Sequence, residues 1–532
     1  MEKKTFGVML DMSRNGVMKV EKVKEFIDYI SKMGYNTLQL YTEDTFEVNN
    51  EPYFGYMRGR YTKDDLKEID AYCNQKGIEL IPCIQVLAHV NAIFKWTEYT
   101  PIRDIDDIML VGAERTYKLL ENIFDTVAEC FTSRTINICM DEAHGVGLGQ
   151  YLNKNGYQNR FEILRKHLDK IVEIASKHNF KLIMWSDMFF RLLNGGSYYG
   201  NAKVNKEVIN AVPEQIDLIF WDYYHIPRKL YRRMVKKHRM FKNETWFAGG
   251  IWVWSDFLPF TDFTLKSMFS GLSVMKEQKV NNIMLTVWGD DGKECSYFTA
   301  LPALFRLKKF YDGENNMAKI KQEFKEIVGE DYDRLNSLKD VFKFIPQVEG
   351  LPVTTKPFMY MDIFNAYIEN YRPTANKEDF LKLSRKYKKF AKNSKFEHLY
   401  RSSSAYLKIL ALKFDMPFRL KDAYDKKDIE GLKNIVVEIK NLIKAVQEFH
   451  GLFRTLWNFE NRPQGFDIQD MRLGGLMTRL STCKQTLQDY IDGKIETIEE
   501  LDEKRLPTKF GGHGHWGKVI SPNVLSHNIH VN

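Results

Sequence analysis

Cysteine is scarce in this chain, and what there is shows no pattern. Six occur in 532 residues, with no C-x-x-C and no paired spacing. Nothing in that spacing suggests a disulfide framework. Cys83 and Cys139 fall inside apolar runs and read as buried thiols. No stretch of about 18 apolar residues is available to cross a membrane. The N-terminal MEKKTFGVMLDMSRNG lacks the long apolar core of a secretion signal, so the expectation is a reduced, cytoplasmic protein. Neither G-x-G-x-x-G nor G-x-x-x-x-G-K-[ST] follows any strand-like run, and no loop is built to cradle phosphate. There is no basic tail. The net charge of +8 is spread thinly, which reads as a solvated surface with no nucleic-acid partner.

What the chain has in quantity is alternation. Apolar runs of strand length recur at Phe6–Met12, Asn36–Thr42, Ile78–Gln85, Thr135–Met140, Lys181–Ser186, Ile216–Asp222, Thr245–Trp252 and Asn281–Trp288. Segments of helical period separate them, from Val20–Met33 to a closing Ser296–Tyr311. Eight strand–helix units in about 310 residues predict an α/β fold, a (β/α)8 TIM barrel over residues 1–312. A doubly wound open sheet is the competitor, weakened by the missing phosphate loops. Beyond Asp312 strand signals vanish and lysine-rich amphipathic segments follow. Residues 313–532 therefore predict an all-α C-terminal domain with a loop-like tail. Its role is a dimer interface or a wall of the active site in one reading and a packing appendage in the other. The tail carries H-G-H, but no nearby carboxylate or cysteine completes a ligand set, so neither metal nor cofactor is expected.

In a (β/α)8 barrel the strand C-termini form the catalytic face. Strand four, TINICM, runs into Asp141, Glu142 and His144, with glycines at once behind. The other strand ends supply Asp11 and Arg14; Glu43 and Asp44; His89 and Asn91; Trp185 and Asp187; Trp221, Asp222, Tyr223 and Tyr224; Trp252, Trp254 and Asp256; Trp288, Asp290, Asp291 and Glu294. A single Trp there is usually core, and a single Asp is often a helix cap. Four consecutive strands ending in Trp beside Asp are harder to dismiss. Aromatic faces stack on the C–H face of a sugar, and carboxylates accept from its hydroxyls. Carbohydrate is thus the substrate class that the chemistry favours.

The ordered set VMLDMSRN, QVLAHVNA, MDE, MWSDM, FWDYY and VWGD resembles glycoside hydrolase family 20, the β-N-acetylhexosaminidases, over about residues 5–312. The helical C-terminal part looks like that of bacterial cytoplasmic members. The resemblance implies an exo-acting enzyme on glycans ending in β-linked GlcNAc or GalNAc. It also implies substrate-assisted retention, an exception to the two-carboxylate scheme. Glu142 becomes the general acid, the substrate's acetamide oxygen the nucleophile, and Asp141 the group that orients the acetamide and stabilises the oxazolinium. Tyr223 is expected to bond the acetamide oxygen, with Tyr224 a close rival. Arg14 matches the family arginine on the sugar O3 and O4, and His89 joins the substrate-binding set. Trp185, Trp221 and Trp254 (or Trp252) are expected to wall the acetamide pocket, with Trp288 under the ring. Asp290 stands where the family usually has Glu. The chain departs from H-x-G-G-D-E, having NICMDE, and the small α/β domain that many members carry ahead of the barrel is not expected here. The adjacency of Asp141 and Glu142 is expected to work because neighbours in an extended chain point apart. Two other readings stay open: a glycosidase using two separated carboxylates, such as Glu142 with Asp290, and a sugar-binding protein without turnover. A homodimer through the helical part is the protein partner that the sequence suggests.

Overall fold

The computed structural model describes residues 4–345, 353–366 and 375–506. Eight parallel strands close into a barrel: β1 (Thr5–Asp11), β2 (Thr37–Tyr41), β3 (Glu79–Cys83), β4 (Thr135–Asn137), β5 (Lys181–Trp185), β6 (Ile216–Asp222), β7 (Thr245–Gly250) and β8 (Asn282–Val287). Each pairs with its sequence neighbour, and β1 pairs with β8 in the register Thr5↔Asn282 to Leu10↔Val287. The strands are buried on both faces, as a helix-covered parallel barrel requires.

Local sequence explains the helices between them. In α1 (Val20–Lys32), Val23, Phe26, Ile27 and Ile30 form the buried stripe, and Gly34 with φ +90° lets the chain turn away. α2 (Lys63–Gln75) opens on a capping box between Thr62 and Asp65. α3 (Glu114–Cys130), α4 (Arg160–Ser176), α5 (Arg228–His238), α6 (Thr261–Glu277) and α7 (Leu301–Asp312) complete the outer ring, with short helices between β5 and β6. A two-stranded hairpin, Arg103–Ile105 with Ile108–Met109, lies in the long connection after β3.

Strand four differs from its sequence reading. Only Thr135–Asn137 is extended, and β3 meets it at the single pair Cys83↔Asn137. The Asn137 side chain takes the Cys139 N–H at 3.0 Å, which ends the ladder. Cys139, Met140 and Glu142 then adopt positive φ (55°, 66° and 53°). The Asp141–Glu142 pair is therefore presented by a left-handed turn and not by the alternation of an extended chain.

After Asp312 the described residues contain no further strand. The main elements are α8 (Lys377–Phe390), α9 (Glu397–Lys413), α10 (Ile429–Glu460) and α11 (Phe466–Ile491). α10 buries Leu432, Ile435, Val436, Ile439 and Leu442 at helical spacing. The corner between α10 and α11 returns to the barrel: Lys19 N–H donates to Glu460 O at 3.0 Å, and Arg462 N–H to Val17 O at 2.8 Å. The histidine-bearing tail, 507–532, lies outside the described residues. Among those described, no group of three His, Cys, Asp or Glu could hold a metal ion, and no helix is long and apolar enough to cross a membrane.

Candidate active site

A pocket opens at the C-terminal end of the barrel. Arg14, Asp141, Glu142, Trp185, Trp221, Tyr223, Tyr224, Trp254, Trp288 and Asp290 line it, each from a loop or terminus of β1, β4, β5, β6, β7 or β8. Of the ten residues that the sequence nominated, nine meet there. The tenth, His89, stands behind Asp141, its Nε2 3.4 Å from Asp141 Oδ2 and 3.9 Å from Glu142 Oε2.

Adjacent carboxylates have different surroundings. The Asp141 side chain is 12% exposed and that of Glu142 40%. Burial alone would raise the Asp141 pKa. The charge and hydrogen bond of His89, the Gln85 amide and the charge of Arg14 override it and hold Asp141 below its ordinary 3.8. Gln85 Nε2 donates to Asp141 Oδ1 at 2.8 Å and to the Tyr41 hydroxyl at 2.9 Å, and Tyr41 donates to Glu43 at 2.8 Å. On His89 burial acts to lower the pKa, but the charge and hydrogen bond of Asp141 raise it to about 9, so the ring is cationic at neutrality.

The strained turn is held by side chains. Gln85 Oε1 accepts the Met140 N–H at 3.3 Å, and Asp187 Oδ2 accepts the Glu142 N–H at 3.0 Å. Residues at such φ cost of order 1–3 kcal/mol each and persist only where neighbours impose them. Arg191 bridges the two acids, with Nε 3.0 Å from Asp187 and Nη2 3.0 Å from Glu142 Oε1. Asp187 is fully buried; that burial, with the Asp141 charge, lifts its pKa to about 7.

Opposite the acids, Arg14 lies over the Trp288 ring at 4.7 Å and the Tyr41 ring at 5.0 Å. Its Nη1 is 3.2 Å from Asp11 and its Nε 2.9 Å from Asp290 Oδ1. Asp11 also accepts the N–H groups of Ser13, Arg14 and Gly289, joining the ends of β1 and β8. Glu43, buried near Arg14, has its pKa pushed up to about 7 by that burial.

In the aromatic wall Trp254 lines the pocket and Trp252 does not. β7 stops at Gly250, not at Trp252, and the turn sends Trp254 to the pocket. Trp252 is wholly buried behind it, rings stacked at 4.5 Å, with its indole N–H on Tyr223 O at 2.7 Å. Tyr223 stacks on Trp221 at 5.1 Å, and burial holds its phenol well above 10, so it stays a hydroxyl. Tyr224, also lining the pocket, meets Trp252 edge-on at 5.7 Å.

Sequence reasoning missed Gln85 and Arg191. Gln85 left a signal, a polar side chain closing the apolar run IELIPCIQ. Arg191 left a fainter one, four residues beyond Asp187 on a helical turn.

Two family models match the chain. The catalytic domain of glycosyl hydrolase family 20 matches residues 6–221, and the Glycoside Hydrolase 20C C-terminal domain matches residues 330–519. Among curated relatives, Beta-hexosaminidase 1 of Coccidioides posadasii is 23% identical over 226 residues, covering 36% of this chain and 37% of that protein. The Beta-hexosaminidase of Vibrio furnissii is 27% identical over 173 residues, covering 26% and 28%. The chain thus matches well under half the length of these relatives. Among solved structures, a GH20 exo-β-N-acetylglucosaminidase from Vibrio harveyi in complex with N-acetylglucosamine aligns with TM-score 0.48 and 15% identity, covering 64% of this chain and 59% of that one. With one family model on the barrel and another on the helical region, the chain belongs to glycoside hydrolase family 20.

Proposed function

We propose that this chain is an exo-β-N-acetylhexosaminidase that removes terminal β-linked GlcNAc or GalNAc by substrate-assisted retention. The observation that carries the reading is the asymmetry of the Asp141–Glu142 pair. One carboxylate is buried, anionic and fixed by His89 and Gln85; the other reaches the open side of the pocket. Such a pair suits two tasks. Glu142 protonates the glycosidic oxygen and later activates water. Asp141 orients the acetamide N–H and stabilises the positive charge as the acetamide oxygen attacks the anomeric carbon. The Tyr223 hydroxyl donates to that oxygen, and Trp185, Trp221 and Trp254 enclose the acetamide methyl. Trp288 carries the sugar ring, and Arg14 with Asp290 grips its outer hydroxyls. His89 acts from behind Asp141.

Asp290 is engaged by Arg14, which weakens the alternative of a two-carboxylate glycosidase built on Glu142 and Asp290. On the proposed reading residues 1–312 carry the chemistry, and the described helices beyond Asp312 support them. Six buried free thiols, with the Sγ atoms of Cys83 and Cys139 3.5 Å apart, support a reducing, cytoplasmic setting. A homodimer through the helical part completes the reading; exposed Ile429 and Val437 on α10 are apolar residues such an interface would cover. The test is turnover of a chromogenic β-N-acetylglucosaminide beside the matching β-glucoside. Cleavage of the first alone is expected. Equal cleavage of both overturns the acetamide role, and binding of either without cleavage points to a lectin.

A further inference from the structure

The two loops that border the outer edge of the pocket are both fastened to the α10–α11 corner, 450 residues away in sequence from Asn15 and 168 from Lys293. The loop after β1 carries Arg14. Immediately beyond it, Asn15 (φ +73°) donates its amide to Gly292 O at 3.1 Å and to Gly465 O at 2.9 Å. Met18 pairs with Asn461 in an antiparallel bridge, flanked by the Lys19–Glu460 and Arg462–Val17 bonds. Gly465 packs so closely that a Cβ there would lie 2.1 Å from Asn15 O.

The loop after β8 carries Asp290, and it meets the same corner. Lys293 Nζ donates to Asn461 Oδ1 at 2.6 Å, and Ser296 Oγ to Glu460 at 2.6 Å. Glu294, wholly buried, receives Arg472 Nη1 at 2.5 Å, Lys356 Nζ at 2.7 Å and Gln469 Nε2 at 3.3 Å. Gln469 also donates to Gly292 O at 3.2 Å. A buried carboxylate flanked by two cations is costly to assemble, and removing one partner exposes that cost. Such a cluster holds its loop in one geometry.

We propose that Gln469 and Arg472, at the start of α11, are positioning residues for substrate recognition. By fixing the Gly292–Glu294 segment against Asn15, they set the separation of Arg14 and Asp290 and thereby the grip on the sugar hydroxyls farthest from the scissile bond. Neither lines the pocket. The helical region is then a structural part of the specificity site and not an appendage to the barrel. This rests on the reading of Arg14 and Asp290 as the hydroxyl grip.

The test uses the full chain and compares Arg472→Met, Arg472→Lys and Gln469→Leu with wild type, each assayed well below its unfolding temperature. Steady-state parameters are measured on the chromogenic β-GlcNAc and β-GalNAc substrates. For Arg472→Met a KM rise of about tenfold, with kcat within about threefold, is expected from a loosened charge-assisted contact. The ratio of kcat/KM between the two epimers should shift about fivefold or more, Arg472→Lys should recover part of it, and Gln469→Leu should move both quantities the same way by less. A merely structural role lowers the active fraction and the unfolding temperature and leaves KM and the epimer ratio alone; that result overturns the proposal. If Arg472→Met does not fold, Gln469→Leu decides by the same two readouts. Arg14→Met is run in parallel. If it leaves KM and the epimer ratio unchanged, the hydroxyl-grip reading has failed, whereas an effect in Arg14→Met without one in the α11 variants refutes only the positioning role.

Discussion

Replacing Asp141 by Asn should change the protonation of a residue it does not replace. His89 is buried and has Arg14 nearby, and both act to lower its pKa, yet it stands at about 9. Asp141, 3.4 Å away, is the largest influence opposing them. At an effective dielectric of about 20, unit charges at that distance attract by about 5 kcal/mol. The net climb from 6.5 to about 9 is worth about 3 kcal/mol. The Asp141 contribution is therefore of the same order as the whole net rise. In Asp141→Asn the imidazole should titrate well below 9. Histidine-selective 15N NMR through a pH series reads this directly, with His89→Gln assigning the signal. A His89 that still titrates near 9 in the Asn variant would refute the pairing. The stability linkage follows the same sign. A histidine with its folded pKa raised contributes stability that is fully present below about 6.5 and lost as pH rises through about 9. The destabilisation of His89→Gln should accordingly be larger at pH 6 than at pH 9.5.

If Arg14 grips the sugar as proposed, Arg14→Met removes two charge-assisted hydrogen bonds at roughly 1.5–3 kcal/mol each, and kcat/KM should fall by about 10²–10⁴-fold in steady-state assays. Tyr223→Phe should lower kcat by about 10²-fold, the scale of one lost oxyanion donor, while Tyr224→Phe stays within about threefold; the reverse order would exchange their roles. A Cβ at Gly250 would fall 2.7 Å from Trp254 and 2.9 Å from Tyr223, so Gly250→Ala should push these two rings into the pocket. It should raise KM for the acetamido sugar and cost about 1–3 kcal/mol in chemical denaturation, as overpacking does.

The barrel was legible because its signals are local. Apolar runs of strand length alternate with amphipathic stripes such as Val23–Phe26–Ile27–Ile30, and caps such as Thr62 and Asp65 mark where helices begin. The pocket was legible because a barrel gathers its strand ends, so polar and aromatic residues at those ends meet whatever their spacing. The turn at Cys139–Glu142 was not legible. It depends on Asn137, Gln85 and Asp187 taking backbone N–H groups that a strand would have paired, and two of those three come from other strands' ends. Trp252 and Trp254 could not be ranked by alternation, because the chain leaves the extended conformation at Gly250 and Val253 N–H turns back to Ile251 O at 2.8 Å. The seating of the α10–α11 corner on the Arg14 loop joins residues about 450 apart, and no periodicity carries that information.

The central claim is that the substrate's own acetamide is the nucleophile, with Asp141 stabilising the bicyclic cation it forms. The most direct test is calorimetric binding of a thiazoline isostere of that intermediate, compared with N-acetylglucosamine. Wild type should bind the isostere at least about 10²-fold more tightly than the sugar, as a site complementary to the transition state requires, and Asp141→Asn should lose most of that margin. Equal affinity for the two ligands in wild type would contradict the mechanism.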